Sequence, residues 1–171
     1  ADVTWEVWAR LITPFWVAAF DAMRVLAHDH GDPAAAARPF NADREGFLIG
    51  EGAAVLLLET AEAAEARGAR VICELAGYGA SSDAHHITDP DPTGESQARA
   101  MLLALGQAGL EPGRVGYVNA HGGGSRPGDP SEVRAIRTEI GDAAGRTLVS
   151  GTKSMHGHCM GATGALEAAL T

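Results

Sequence analysis

The chain has 171 residues, 46% hydrophobic and 20% charged, the size and balance of folded globular protein rather than of a disordered segment. Its 13 basic and 22 acidic residues give a formal net charge of -9, which argues against a nucleic-acid backbone or an anionic membrane surface as the main partner. Every basic residue is Arg except Lys153, the single lysine of the chain.

In chain order, residues 2–13 carry Trp5, Trp8, Leu11 and Ile12 without a clean period or a start signal. Residues 14–28 repeat apolar positions at helical spacing behind Pro14, which suits a first turn, and predict a mostly buried helix. Gly31-Asp32-Pro33 breaks it, and an irregular segment runs on to Gly46 and Gly50. The continuous apolar run over 53–59 predicts a strand buried on both faces, and 61–67 a short helix closed by Gly68. A second strand is predicted over 71–79, then a helix over 94–108 with Met101, Leu102 and Leu105 inward. A third strand over 115–119, a helix over 128–140 with Val133, Ile136 and Ile140 on one face, a short strand at Leu148-Val149 and a helix over 161–170 complete the pattern. Alternating strands and helices predict an α/β layered architecture around a largely buried sheet.

Cys73 and Cys159 sit in no ligand-like spacing, so neither a disulfide framework nor a zinc site is expected, and a reducing cytoplasm fits. No stretch approaches the roughly 18 apolar residues of a membrane helix, and no basic region precedes an apolar core at the N-terminus, so the expectation is a chain neither anchored nor exported.

Two segments carry more than packing: Asn119-Ala120-His121-Gly122-Gly123-Gly124-Ser125 after the third strand and Thr152-Lys153-Ser154-Met155-His156-Gly157-His158 after the fourth. In open α/β sheets ligands collect at the C-terminal strand edge. Two imidazoles and an ammonium there could polarise a carbonyl, stabilise an enolate and relay protons near neutral pH. Packing roles, with His121 capping a helix and His158 filling a gap, stand beside that reading, and spacing leaves both open.

These two segments, with Arg38-Pro39-Phe40-Asn41-Ala42-Asp43-Arg44-Glu45-Gly46-Phe47 through Gly50-Glu51-Gly52-Ala53, resemble the β-ketoacyl synthases of fatty acid and polyketide assembly. Ser81-Ser82-Asp83-Ala84-His85-His86-Ile87-Thr88 and Gly128-Asp129-Pro130-Ser131-Glu132 lie between them in the family's order. The resemblance implies a thiolase-like layered α/β fold, with residues 1–67 ending the N-terminal half and 68–171 beginning the C-terminal half. It implies decarboxylative condensation of an acyl thioester with a malonyl unit, both delivered on the phosphopantetheine arm of an acyl carrier protein, with no further cofactor and no metal. His121 and His158 match the family's two catalytic histidines and Lys153 its motif lysine, with Glu167 placed to pair with that lysine. Asp129 and Glu132 match a supporting carboxylate pair.

Gly123 and Ser125 stand where the family usually has hydroxyl residues that hold the pantetheine arm, so of the two only Ser125 keeps that capacity. The family's nucleophilic cysteine lies before the region matched here, Cys159 falls at an apolar helix position and Cys73 inside a strand, so both read as packing. The resemblance therefore implies a fragment inactive by itself, paired with the carrier protein, with a ketosynthase-like subunit as homodimer or heterodimer, or with a chain supplying the cysteine. The alternative is a non-catalytic partner subunit or an interaction remnant. A metal site at His121, His156 and His158 finds no further ligand at suitable spacing beyond Cys159.

Overall fold

A computed structural model describes residues 3–28, 31–141 and 145–171, with the backbone alone for residues 3–8. Strand β1 (Val3–Ala9) pairs antiparallel with β2 (Gly52–Leu58), Val3 opposite Leu58 and Ala9 opposite Gly52. A partner distant in sequence makes β1 a strand where the local pattern shows no period; the side chains of Trp5 and Trp8 lie outside the described residues.

Helix α1 (Pro14–Ala22) starts at Pro14 as predicted and stops well before residue 28. Arg24 turns to a φ of 57°, and beyond it Val25 and Ala27 exchange backbone hydrogen bonds with Phe47. The periodic residues Val25 and Leu26 thus serve a strand-like pairing rather than a helix. Nor is α1 buried: Phe15 is 72% exposed. β2 also departs from expectation. Its Gly52 face lies against Leu166 of the C-terminal helix, while Val55 and Leu57 on the other face are 59% and 60% exposed. A continuous apolar run records what a strand can bury, not whether a cover is present.

Helix α2 (Ala61–Ala66) is capped by Thr60, whose Oγ1 accepts the Ala63 N–H at 3.2 Å, and Gly68 follows it in the left-handed region as predicted. The strand predicted over 71–79 is absent. That segment has no ladder partner among the described residues and runs along helix α3 (Glu95–Ala108), leaving Ile72 and Leu75 exposed. Two glycines allow this approach: a Cβ at Gly77 would stand 2.1 Å from the Ala104 carbonyl oxygen, and one at Gly79 would stand 1.9 Å from that of Ala100. Gly79→Ala is therefore expected to lift residues 76–80 off α3, seen as faster amide exchange there and earlier proteolytic cutting; unchanged protection would show that the contact yields without cost.

α3 lies against α4 (Gly128–Ile140), where Ile136 and Ile140 form a small core with Met101, Val115 and Val118. Leu102, expected inward, is 53% exposed. β3 (Tyr117–Asn119) and β4 (Leu148–Ser150) pair parallel and are shorter and less covered than a largely buried sheet requires. α5 (Lys153–His156), a 3-10 turn (Met160–Ala162) and α6 (Thr163–Leu170) end the chain, so the helix predicted from 161 begins as a tighter turn.

Parallel pairing sets the C-terminal ends of β3 and β4 side by side, and Ala120 N–H donates to the Ser150 carbonyl at 2.8 Å. A third segment reaches the same place: Gly50 N–H donates to the His158 carbonyl and His158 N–H to that of Leu48. Gly50 and Gly157 permit this crossing, since a Cβ on Gly50 would stand 2.2 Å from the His156 carbonyl oxygen and one on Gly157 would stand 2.9 Å from Gly50. Among the described residues no helix is long and apolar enough to cross a membrane.

Candidate active site

The two strand-end loops bring His121, Lys153 and His158 together. His121 and His158 face each other edge to face, ring centres 5.1 Å apart. The loop bearing His121 is held by two buried carboxylates near the start of α4, Asp129 in its first turn and Glu132 in the next. Glu132 accepts the N–H groups of His121 and Gly122, and Asp129 accepts those of Gly124 at 2.9 Å and Phe40 at 2.7 Å. Carboxylates at a helix N-terminus are favoured, and here they also satisfy four loop donors. From the other side, the buried Lys153 ammonium donates to the His121 carbonyl and to Glu167 Oε1, the latter at 2.8 Å. His121 is thus gripped through its backbone N–H and C=O, leaving its ring free in the cleft.

The two rings are kept neutral. His121 is lowered from its usual range by burial and by the Lys153 charge. His158 is pushed down to about 3, first by burial, then by His121, Lys153 and His156. Its Nδ1 accepts the Met160 N–H at 3.1 Å and lies 3.1 Å from the Thr163 hydroxyl, which leaves Nε2 to carry the ring proton. His158 is therefore a fixed neutral donor. In the unfolded chain this ring takes up a proton near 6.5, in the fold only near 3, so between those values the unfolded state binds more protons. Stability is accordingly complete above the upper value and declines as pH falls through that window. The melting temperature is expected to drop more between pH 7 and 5 in the wild type than in His158→Asn, and parallel declines would exclude a neutral buried His158.

Both rings line a cleft of about 780 Å³ whose apolar wall includes Phe20, Met23, Val25, Leu26, Phe47 and Met160. Gly123 and Ser125 line it as well. A Cβ at Gly123 would stand 3.2 Å from His121 Nε2, so glycine leaves space beside that nitrogen. Ser125 Oγ accepts the Gly128 N–H at 3.0 Å, which leaves its hydroxyl hydrogen to donate elsewhere. His86, assigned no chemistry in the sequence, is exposed, and its Nδ1 accepts the N–H groups of Thr88 and Asp89 at 3.2 Å.

Several contributors escape sequence reasoning. The Arg44 guanidinium donates to the carbonyls of Ser125, Asn41 and Arg126, tying the early segment to the His121 loop. The Phe47 ring stands 5.0 Å from that of His158, and Phe20 stands 5.7 Å from Phe47. The 38–47 segment contains Arg44 and Phe47, yet nothing in its spacing shows which loop they serve. Thr163 carries no local signal beyond helix membership.

Cys159 is fully buried and its thiol is raised by burial and by Glu167, while Cys73 is exposed. Iodoacetamide is expected to label Cys73 in the native chain and Cys159 only after unfolding, read by peptide mass; native labelling of Cys159 would contradict its packing role.

The sequence profile of the beta-ketoacyl synthase N-terminal domain matches residues 8–64, and that of the C-terminal domain matches 72–171. The chain is 49% identical over 157 residues to a 3-oxoacyl-[acyl-carrier-protein] synthase 2 of Staphylococcus aureus, covering 92% of this chain and 39% of the relative. Its fold is similar, with a TM-score of 0.94 and 34% identity, to a solved type II polyketide ketosynthase, AntDE, in complex with its acyl carrier protein AntF and bound to the hexaketide, covering 98% of this chain and 42% of that one. The ishigamide ketosynthase/chain length factor matches at a TM-score of 0.84 and 39% identity over 97% of this chain and 39% of that one. The described architecture is part of the thiolase-like α/β fold those proteins share.

Proposed function

Because this chain belongs to the β-ketoacyl synthase family and spans about 39% of the curated relative it matches, we propose that it supplies the enolate-stabilising part of a condensing acyltransferase. The observation that carries this reading is the facing pair of imidazoles lining an apolar-walled cleft, both shifted toward the neutral form by burial. His121 and His158 hydrogen-bond the malonyl thioester carbonyl. As the carboxylate leaves as carbon dioxide, they stabilise the enolate, whose carbon then attacks the acyl thioester. Neutral N–H donors aimed at a developing oxyanion suit that step, because they gain strength as charge builds on the oxygen. Lys153 and Glu167 fix the His121 loop, as do Asp129 and Glu132, and the Ser125 hydroxyl is placed on the cleft wall to meet the pantetheine arm.

Neither cysteine of this chain acts as the acyl nucleophile in this reading; a raised, fully buried Cys159 thiol supports that. The nucleophile comes from polypeptide outside these 171 residues. Both substrates arrive on the phosphopantetheine arm of an acyl carrier protein, and side chains carry the chemistry without a further cofactor. The two profile matches support a junction between thiolase-like halves near residue 67. The exposed apolar residues of β2 and of 71–79 support association with a ketosynthase-like chain, as do neighbours solved with a carrier protein or a chain length factor.

The decisive test transplants this segment into the matching stretch of the Staphylococcus aureus synthase. The hybrid is expected to decarboxylate malonyl-carrier protein and to form a 3-oxoacyl product. A folded hybrid doing neither would reject the proposal.

A further inference from the structure

We propose that His156 is a positioning residue for the His121 loop, acting through Thr152 and Glu167 on the Lys153 ammonium. This rests on the reading of His121 as a catalytic imidazole. His156 Nε2 lies 2.9 Å from Thr152 Oγ1, and the Thr152 hydroxyl donates to Glu167 Oε1 at 3.1 Å. That same oxygen accepts from Lys153, whose ammonium also donates to the His121 carbonyl.

A hydroxyl has a single hydrogen, so once Thr152 gives it to Glu167 its oxygen can only accept from His156. That fixes His156 as the tautomer with its proton on Nε2. Its Nδ1 is buried with no hydrogen-bond partner among the described residues, which suits a bare lone pair and not an N–H. The row therefore runs one way, from His156 to Thr152 to Glu167, and ends on a carboxylate oxygen shared with a buried ammonium. Without the imidazole, the Thr152 hydroxyl can turn away, Glu167 loses one of its two donors, and Lys153 is left to follow the carboxylate. Because the ammonium also holds the His121 carbonyl, slack in Glu167 becomes slack in the His121 ring relative to His158. His156 touches neither substrate nor the reacting atoms in this scheme; it acts through others.

The single lysine makes this directly measurable. With lysine labelled by NMR-active nitrogen and carbon, the whole chain has one lysine side-chain resonance, that of Lys153. His156→Leu is expected to shift it and to speed exchange of its ammonium protons by about tenfold, the factor that weakening a hydrogen bond of ordinary strength brings. His156→Gln, whose amide N–H can reach the Thr152 hydroxyl, is expected to restore both. Thr152→Val is expected to reproduce the shift, and adding His156→Leu to it to change nothing more.

An unmoved lysine resonance in His156→Leu overturns the proposal, as does an equal displacement in His156→Gln. Should His156→Leu fail to fold, Thr152→Val with and without His156→Gln decides: a further shift on adding the glutamine means that His156 acts by another route. None of these readings needs turnover, so loss of the proposed condensing activity would leave them standing. In the transplanted synthase, His156→Leu is expected to lower kcat with KM unchanged, and His156→Gln to recover it.

Discussion

Replacing His121 by alanine in the transplanted synthase is expected to lower kcat for malonyl decarboxylation by about 10²–10³-fold, the usual cost of deleting one oxyanion donor. The loss should fall on kcat more than on KM, because the hydrogen bond gains its strength only as the enolate forms. This variant is a clean probe for a structural reason. Glu132 holds the backbone N–H of residue 121 and Lys153 its carbonyl, so the loop keeps its anchors when the ring is removed. Far-UV circular dichroism and melting temperature should stay near wild type. A rate unchanged by His121→Ala would end the catalytic reading in favour of an interaction module.

Lys153→Met is expected to give the largest loss of stability, about 3–5 kcal/mol, the range for removing one partner of a buried ion pair. The lysine is 2% exposed and its Glu167 partner 13%, so little solvent screens what remains. Two acceptors each lose a donor at once, the Glu167 carboxylate and the His121 carbonyl. Urea unfolding midpoints measure the effect, and a drop under about 1 kcal/mol would show the pair to be effectively solvated. Lys153→Met combined with Glu167→Leu should cost less than the sum of the single changes, since an apolar pair leaves no buried charge behind. Lys153→Arg should not rescue, because a planar fork cannot converge on a carbonyl and a carboxylate as a compact ammonium does. The skew that leaves one lysine among thirteen basic residues thus coincides with a place where arginine would not fit.

Local pattern and tertiary outcome diverge for a consistent reason. The helical period over 14–28 is real chemistry, yet Val25 and Ala27 find backbone partners in Phe47, and that pairing ends the helix. The runs at 53–59 and 71–79 have strand-like composition. The first acquires a ladder from β1 and leaves one face open; the second finds no ladder among the described residues and lies instead along α3 on two glycines. Among the described residues, seven of the ten buried apolar residues are alanine, while Ile72 is 92% exposed. Hydrophobicity records a tendency to be covered, and the cover is a property of the assembled fold.

The site divides the same way. The two glycine-flanked histidines at strand ends and the solitary lysine between them follow from the amino-acid sequence by itself, because spacing and residue type are local properties. The pairing of Glu167 with Lys153 and the supporting place of Asp129 and Glu132 come from the resemblance to the β-ketoacyl synthases, not from any local pattern.

Tertiary structure alone decides which nitrogen of His158 carries the proton, that four loop N–H groups end on two carboxylates, and that Arg44 and Phe47 join the His121 and His158 loops. It also brings His156 within hydrogen-bond reach of Thr152, whose hydroxyl donates to Glu167. Tautomer, acceptor and burial are fixed by atoms that meet across chain separations as long as that between Phe40 and Asp129, and no local periodicity encodes such a meeting.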